Sequence, residues 1–188
     1  MAIFTALALI IFIVEAQIPL PVPIPGVKLG LANAVTLFAL FFDAKKTRNA
    51  KSEENTQIPD SSTASAINIK TFTTTDVFNI LFCRIVLGAV FTGRIVAFIY
   101  SFTGGVLGFT AQVVMKRFVS EKQIWVCGAA GAVFHNIGQI TAAVFITGTP
   151  AIAAYLPVLM IAGIITGALT GLIAQFALER IKTDNREN

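Results

Sequence analysis

"VFNILFCRIVLGAVFTGRIVAFIYSFTGGVLGFTAQVVM", residues 77–115, is an almost unbroken apolar stretch of 39 residues. A helix needs about 20 such residues to cross the hydrocarbon core of a bilayer. The stretch is therefore too long for one span and has the length of two. Its only turn signal is "FTGR" at 91–94, because glycine interrupts the apolar pattern there. We predict two spans, 77–91 and 95–118, joined at this tetrapeptide.

The rest of the chain has the same character. Of its 188 residues, 55% are hydrophobic and 13% are charged, which lies outside the range of soluble domains. We predict an all-α integral membrane protein: a six-transmembrane-helix bundle in a single domain, 1–188, with further spans at 2–18, 27–42, 124–147 and 156–181. A signal peptide is the alternative for the first run, but this run lacks a basic beginning and carries Glu15 near its end.

The distribution of positive charge gives the orientation, since Lys and Arg near span ends stay in the cytoplasm. With the N-terminus inside, eleven of the fourteen Lys and Arg residues fall in inner loops and the C-terminal tail. Lys28 and Arg94 fall in outer loops, and Arg84 lies within the third span. We therefore predict that both termini are cytoplasmic and that the protein is a multi-pass protein of the cell membrane.

The polar segment 43–75 separates the second and third spans. It is rich in Lys, Asn, Ser, Thr and Glu and contains few large apolar side chains. Such a composition buries too little surface to offset the entropy of ordering, so we predict a flexible cytoplasmic linker. The alternative is a basic arm that binds lipid, although four acidic residues dilute its positive charge.

Four prolines alternate with apolar residues in the connection between the first two spans. Each proline fixes its own φ and disfavours a helical conformation in the preceding residue, which predicts an extended, stiff segment. This segment, which we call the proline strap, is either a simple connector or a lid over the outer mouth of the bundle. Its prolines are Pro19, Pro21, Pro23 and Pro25.

Several polar residues are predicted at membrane depth, where they are costly and often mark a cavity or a partner. His135 and Gln139 share a helical face near the bilayer midplane, beside Asn136. The alternative role for these residues is hydrogen bonding between helices. A pocket built from them suits a small polar or amphipathic molecule, and the candidate substrate-binding residues are Glu15, Lys28, Asn33, Arg84, Arg94, His135, Asn136 and Gln139.

Small residues recur at four-residue spacing, which allows helix backbones to approach closely in lipid. Packing within the chain is the ordinary role of such ridges. For the pair in the first span, contact with a partner protein is the alternative. The candidate helix-packing residues are Ala2, Ala6, Gly104, Gly108, Gly163, Gly167 and Gly171.

The motifs of common enzyme chemistry are missing from the sequence. There is no phosphate-binding G-x-x-x-x-G-K-[ST] loop, and the four aspartates, Asp43, Asp60, Asp76 and Asp184, form no pair spaced to hold Mg²⁺ on a diphosphate. We therefore predict no catalytic residues, no cofactor, no metal and no nucleic-acid partner. A binding or transport protein in contact with membrane lipid is favoured over an enzyme.

Five stretches carry a family resemblance: "VEAQIPLPVPIPGVKLGLANAVTL" (14–37), "LFCRIVLGAVFTG" (81–93), "SFTGG" (101–105), "GAVFHNIGQI" (131–140) and "YLPVLMIAGIITG" (155–167). In these the chain resembles the Gx transporter family, also labelled heptaprenyl diphosphate synthase component I. That family is similar to the substrate-binding S components of energy-coupling-factor (ECF) transporters. The long linker is a departure from the family, whose members have a short loop there.

The resemblance implies two alternative functions. The first is an S-component-like subunit for uptake of a small-molecule substrate, with a transmembrane coupling subunit and ABC-type ATPases as partners. The second is a non-catalytic membrane accessory subunit of a polyprenyl diphosphate synthase in an isoprenoid quinone pathway.

Overall fold

The computed structural model describes residues 2–15, 17, 30–42, 73–93 and 95–187, with backbone only at 92, 121 and 181–187. Within these ranges the chain is helical and contains no strand. Short 3₁₀ segments at Glu121–Gln123 and Pro150–Tyr155 lead into the last two helices. The helices are α1 (Ala2–Glu15), α2 (Asn33–Phe42), α3 (Thr74–Thr92), α4 (Ile95–Met115), α5 (Ile124–Thr147) and α6 (Leu156–Glu187).

Among the described residues, four segments are long and apolar enough to cross a membrane: most of α3, all of α4 and α5, and Pro150–Arg180, which includes most of α6. Many large apolar side chains on these helices point outward; Ile95 is 77% exposed and Phe145 is 83% exposed. Such surfaces are typical of helices that face lipid. The prediction of a helical, multi-pass membrane protein is therefore confirmed. α1 and α2 are apolar but shorter.

The predicted division of residues 77–115 is confirmed, and Gly93 makes the turn. Gly93 has a left-handed φ of 63°, and its N–H donates to the carbonyl of Ala89 at 2.9 Å. Glycine pays no steric penalty for this conformation, which is the common way to end a helix. α3 begins at Thr74, so the last two residues of the linker predicted over 43–75 are helical; residues 43–72 lie outside the described part.

α2 begins at Asn33, whereas the sequence predicted a span from residue 27. Gly30 has a φ of +83°, which no residue within a right-handed helix adopts. The N–H of Asn33 donates to the carbonyl of Gly30 at 2.9 Å and closes a turn ahead of the helix. The described part of α2 therefore rises about 15 Å, half the thickness of the hydrocarbon core.

α5 is the central helix and packs against α4 on one side and α6 on the other. A Cβ built on Gly167 would lie 2.5 Å from the carbonyl oxygen of Gly128, and one on Gly108 would lie 2.8 Å from that of Gly131. The backbones of the three helices are thus in direct contact. Gly104, Gly163 and Gly171 leave equally little space for a side chain.

α1 packs against α3. The ring of Phe12 lies directly over Gly88, where any side chain on the glycine would overlap it. Ala8 is fully buried on the same helix, whereas Ala2 and Ala6 are exposed. α1 therefore has one packed face and one face open to lipid or to another protein.

Candidate ligand-binding site

A small polar cavity lies where the C-terminal end of α1 meets the start of α2. It has a volume of about 10 Å³, which is about the minimum that one water molecule requires. Five of its residues are polar or charged, and each is at most 6% exposed. We call it the polar cavity; its lining residues are Phe12, Glu15, Gly30, Ala32, Asn33, Arg84, Ser101 and His135.

Glu15, the last residue of α1, binds the chain just ahead of α2. Its carboxylate accepts hydrogen bonds from the backbone N–H of Gly30 and, at 3.4 Å, from that of Ala32. These amides lie near the positive end of the α2 dipole, where an anion is favourable. Glu15 therefore joins the end of α1 to the start of α2 beside the cavity.

Arg84 reaches the same cavity from α3. It is 2% exposed, and its Nη2 donates to Oδ1 of Asn33 at 2.9 Å. Arg84 is also attracted through space by Glu15. The cavity thus contains one carboxylate and one guanidinium, each held by groups at the beginning of α2.

His135 of α5 forms another wall. Its ring is 4% exposed and lies under Gly30 and beside Gly104: a Cβ on either glycine would come within 3.0 Å of ring atoms of His135. The imidazole therefore fits only because neither glycine has a side chain. Gly30 cannot be replaced easily, because its positive φ adds strain to the lack of space.

Two residues predicted beside His135 point elsewhere. Nδ2 of Asn136 donates to the carbonyl of Leu159 in α6 at 2.6 Å, so this residue joins two helices. Gln139 is fully buried, and its Cγ would be 2.8 Å from a Cβ on Gly104 of α4. Neither residue lines the polar cavity. Lys28, Arg94 and the four prolines of the strap lie outside the described residues.

Sequence reasoning missed four residues of the cavity: Phe12, Gly30, Ala32 and Ser101. Ser101 is 4% exposed and lies in the "SFTGG" stretch of α4, but a serine in an apolar helix most often bonds its own backbone. Phe12 resembled any other apolar residue of the first span. Gly30 contributes a backbone N–H, and only the fifteen-residue reach from Glu15 reveals that role.

A larger apolar cavity of about 300 Å³ lies between α1, α2 and α6. Its lining includes Phe4, Leu7, Phe38 and Ile173, and Thr170 is its one hydroxyl residue. Such a surface fits hydrocarbon and offers little to orient a polar ligand. In the part of the chain that the structure describes, no three His, Cys, Asp or Glu side chains are grouped to hold a metal ion.

Comparison with known proteins gives one finding. The model of the family described as heptaprenyl diphosphate synthase component I matches residues 4–49 and 61–177. The unmatched residues between these ranges lie in the predicted linker. No curated protein and no solved structure matches the chain. The family description names one component of a synthase and thereby implies a partner component. Because the match extends over most of the sequence, the chain belongs to the heptaprenyl diphosphate synthase component I family.

Proposed function

We propose that this protein is the substrate-binding subunit of a membrane uptake system, similar to the S component of an ECF transporter. It crosses the cell membrane six times as one domain, with both termini and the 43–75 linker in the cytoplasm. A transmembrane coupling subunit and ABC-type ATPases supply the energy of ATP hydrolysis.

The polar cavity is the observation that carries this proposal. α1, α3, α4, α5 and the start of α2 each contribute a buried polar side chain to it. Polar side chains at membrane depth are expensive, and a cluster from five separate elements is typical of a substrate site. A bundle held by a few interhelical hydrogen bonds does not need so many groups around one space.

The proline strap is proposed as the lid of this site. The bond from the Gly30 N–H to Glu15 brings the two residues that flank the strap together beside the cavity, which supports a strap that covers the entrance. Prolines reduce the entropy that such a segment loses on closing. The described cavity has room for about one water molecule, and we propose that a substrate enters when the strap and α1 move apart.

Six residues from the predicted set belong to this proposal in two roles. Glu15, Asn33, Arg84 and His135 contact the substrate, whereas Asn136 and Gln139 hold α5 against its neighbours. Lys28 and Arg94, which are predicted in outer loops, are proposed to lie at the entrance of the cavity.

The family description favours a second function, a non-catalytic membrane accessory subunit of a polyprenyl diphosphate synthase. The absence of paired aspartates from the sequence argues against a catalytic role in prenyl transfer. In the accessory role the polar cavity would serve only the stability of the bundle.

Purification in mild detergent separates the two functions. Uptake predicts that the wild type releases a small molecule in about equimolar amount when it is denatured, detected by mass spectrometry. Asn33→Ala should release much less. Thr141→Val is the control, because Thr141 is exposed and its hydroxyl bonds its own helix at Ile137. No released molecule, together with a copurifying prenyl synthase, would support the accessory role instead.

A further inference from the structure

Only one of the three guanidinium nitrogens of Arg84 forms a hydrogen bond with a described residue. Nη2 donates to Asn33, but Nε and Nη1 have no hydrogen-bond partner among the described residues, and both are buried. Arginine keeps its positive charge in proteins, so it cannot escape this position by losing a proton. A buried charged donor without an acceptor is strongly unfavourable. We therefore expect Nε and Nη1 of Arg84 to bind an acceptor that is not among the described residues.

Glu15 does not supply that acceptor. Its carboxylate accepts from the Gly30 and Ala32 amides and so balances the positive end of α2. Its attraction to Arg84 acts through space. Because the helix terminus carries roughly half a positive charge, the single carboxylate faces more positive than negative charge around the cavity. The surplus favours a further anion.

Two neutral groups in the same cavity also lack partners. Ser101 Oγ and Asn33 Nδ2 are buried without a hydrogen-bond partner among the described residues. Both are able to donate a hydrogen bond. With the two nitrogens of Arg84, four donors from α2, α3 and α4 surround one small space.

We propose that these donors form a carboxylate-binding subsite, so that the transported molecule is a small organic acid. This rests on the proposed uptake function and specifies its substrate class. Four donors match the four lone-pair positions of a carboxylate, and one guanidinium matches its single charge. A phosphate or diphosphate carries more charge and more oxygen atoms than these groups satisfy.

Acetate is the probe, because it consists of a carboxylate and a single methyl group. Purified protein at neutral pH is titrated with sodium acetate at constant ionic strength, and the melting temperature is followed. Sodium chloride, acetamide and sodium phosphate serve as ionic, neutral and phosphate controls. We expect a saturable rise of a few degrees with acetate alone, in the wild type and in Thr141→Val.

Substitution of the donor residues tests whether they cause the rise in melting temperature with acetate. Arg84→Gln should abolish the acetate response. Ser101→Ala removes one hydroxyl and leaves the charges in place, so it keeps the measurement possible if the Arg84 variant does not fold. It should weaken the apparent affinity for acetate about 5- to 10-fold, as expected for one lost hydrogen bond.

The inference is overturned if acetate acts no differently from chloride and acetamide, or if Ser101→Ala and Arg84→Gln respond like the wild type. A response to phosphate in place of acetate also overturns it. Failure of the uptake proposal is separate: a released small molecule that lacks a carboxyl group contradicts the subsite alone, whereas no released molecule contradicts uptake.

Discussion

At the scale of single residues, Glu15 has the clearest structural task. It accepts hydrogen bonds from two backbone amides that precede α2, at described positions that are not helical. The carboxylate thus substitutes for a missing turn of helix. This role holds whether or not the cavity binds a ligand.

Replacing Glu15 should destabilise the fold. Glu15→Leu keeps the size and removes both acceptor atoms, at a cost of about 1–3 kcal/mol for each buried donor left unsatisfied. Glu15→Gln retains one acceptor atom, so its stability should lie between those of the wild type and Glu15→Leu. The measurement is the free energy of unfolding in mixed detergent micelles. Glu179→Gln, on the exposed face of α6, should change it little; equal losses in Glu179→Gln and Glu15→Leu would contradict this role.

His135 and Gln139 provide a matched pair on α5, because both are buried but only His135 lines the cavity. His135→Leu should weaken binding of the copurifying ligand about 5- to 150-fold, the range for one lost hydrogen bond of about 1–3 kcal/mol. Gln139→Leu should lower the melting temperature and leave the ligand-induced shift intact. Melting with and without the ligand measures both; a full shift in His135→Leu would exclude this residue from the site.

At the scale of elements, the α5–α6 contact depends on glycine. The backbone carbonyl of Gly128 occupies the space that a Cβ on Gly167 would need. Lipid supplies no hydrophobic force to hold two helices together, so close van der Waals contact must provide much of the attraction. One methyl group at this point should push the helices apart.

Gly167→Ala should therefore cost about 1–3 kcal/mol of stability, the usual range for overpacking. Ile165→Ala, at an exposed position of the same helix, should have a much smaller effect, because that side chain faces lipid in the folded state. Unfolding in mixed micelles compares the two. A harmless Gly167→Ala would mean that α5 and α6 are not as close as described.

The helices differ in how far the sequence determines them. α5 was predicted at 124–147 and lies there, because an apolar run of that length ends at Gly148, which takes a left-handed φ of 63°. The predicted start of the second span, at residue 27, was wrong. A local apolar pattern contains no sign that the backbone N–H of Gly30 donates to the distant carboxylate of Glu15. The grouping of Arg84 with Asn33 spans 51 positions, and such contacts follow from helix packing rather than from local pattern.

At the scale of the whole molecule, the segment between α2 and α3 is expected to be dispensable. Its composition gives no folding force, and the family match omits part of it. Deleting residues 52–65 should leave membrane insertion and ligand-induced stabilisation within a few-fold of the wild type. Quantitative blotting of membranes and melting with ligand provide the two readouts. A large loss of binding would identify the segment as a functional element.

The arrangement of the chain across the membrane is the broadest prediction. Positive charge favours six spans with both ends in the cytoplasm, although the described parts of α1 and α2 are short for spanning helices. In this arrangement Val22 of the strap and Ser61 of the linker lie on opposite sides. If α1 and α2 instead entered and left by one face, the two positions would share a side.

Single cysteines at Val22 and Ser61 decide between these arrangements. Both native cysteines are replaced first; Cys127 is buried, so alanine is chosen there, and Cys83 is exposed on α3. An impermeant thiol reagent added to intact cells should label the cysteine at 22 at once and the one at 61 only after permeabilisation. Labelling of both from the same side would exclude the six-span arrangement and, with it, a strap that covers an outward-facing site.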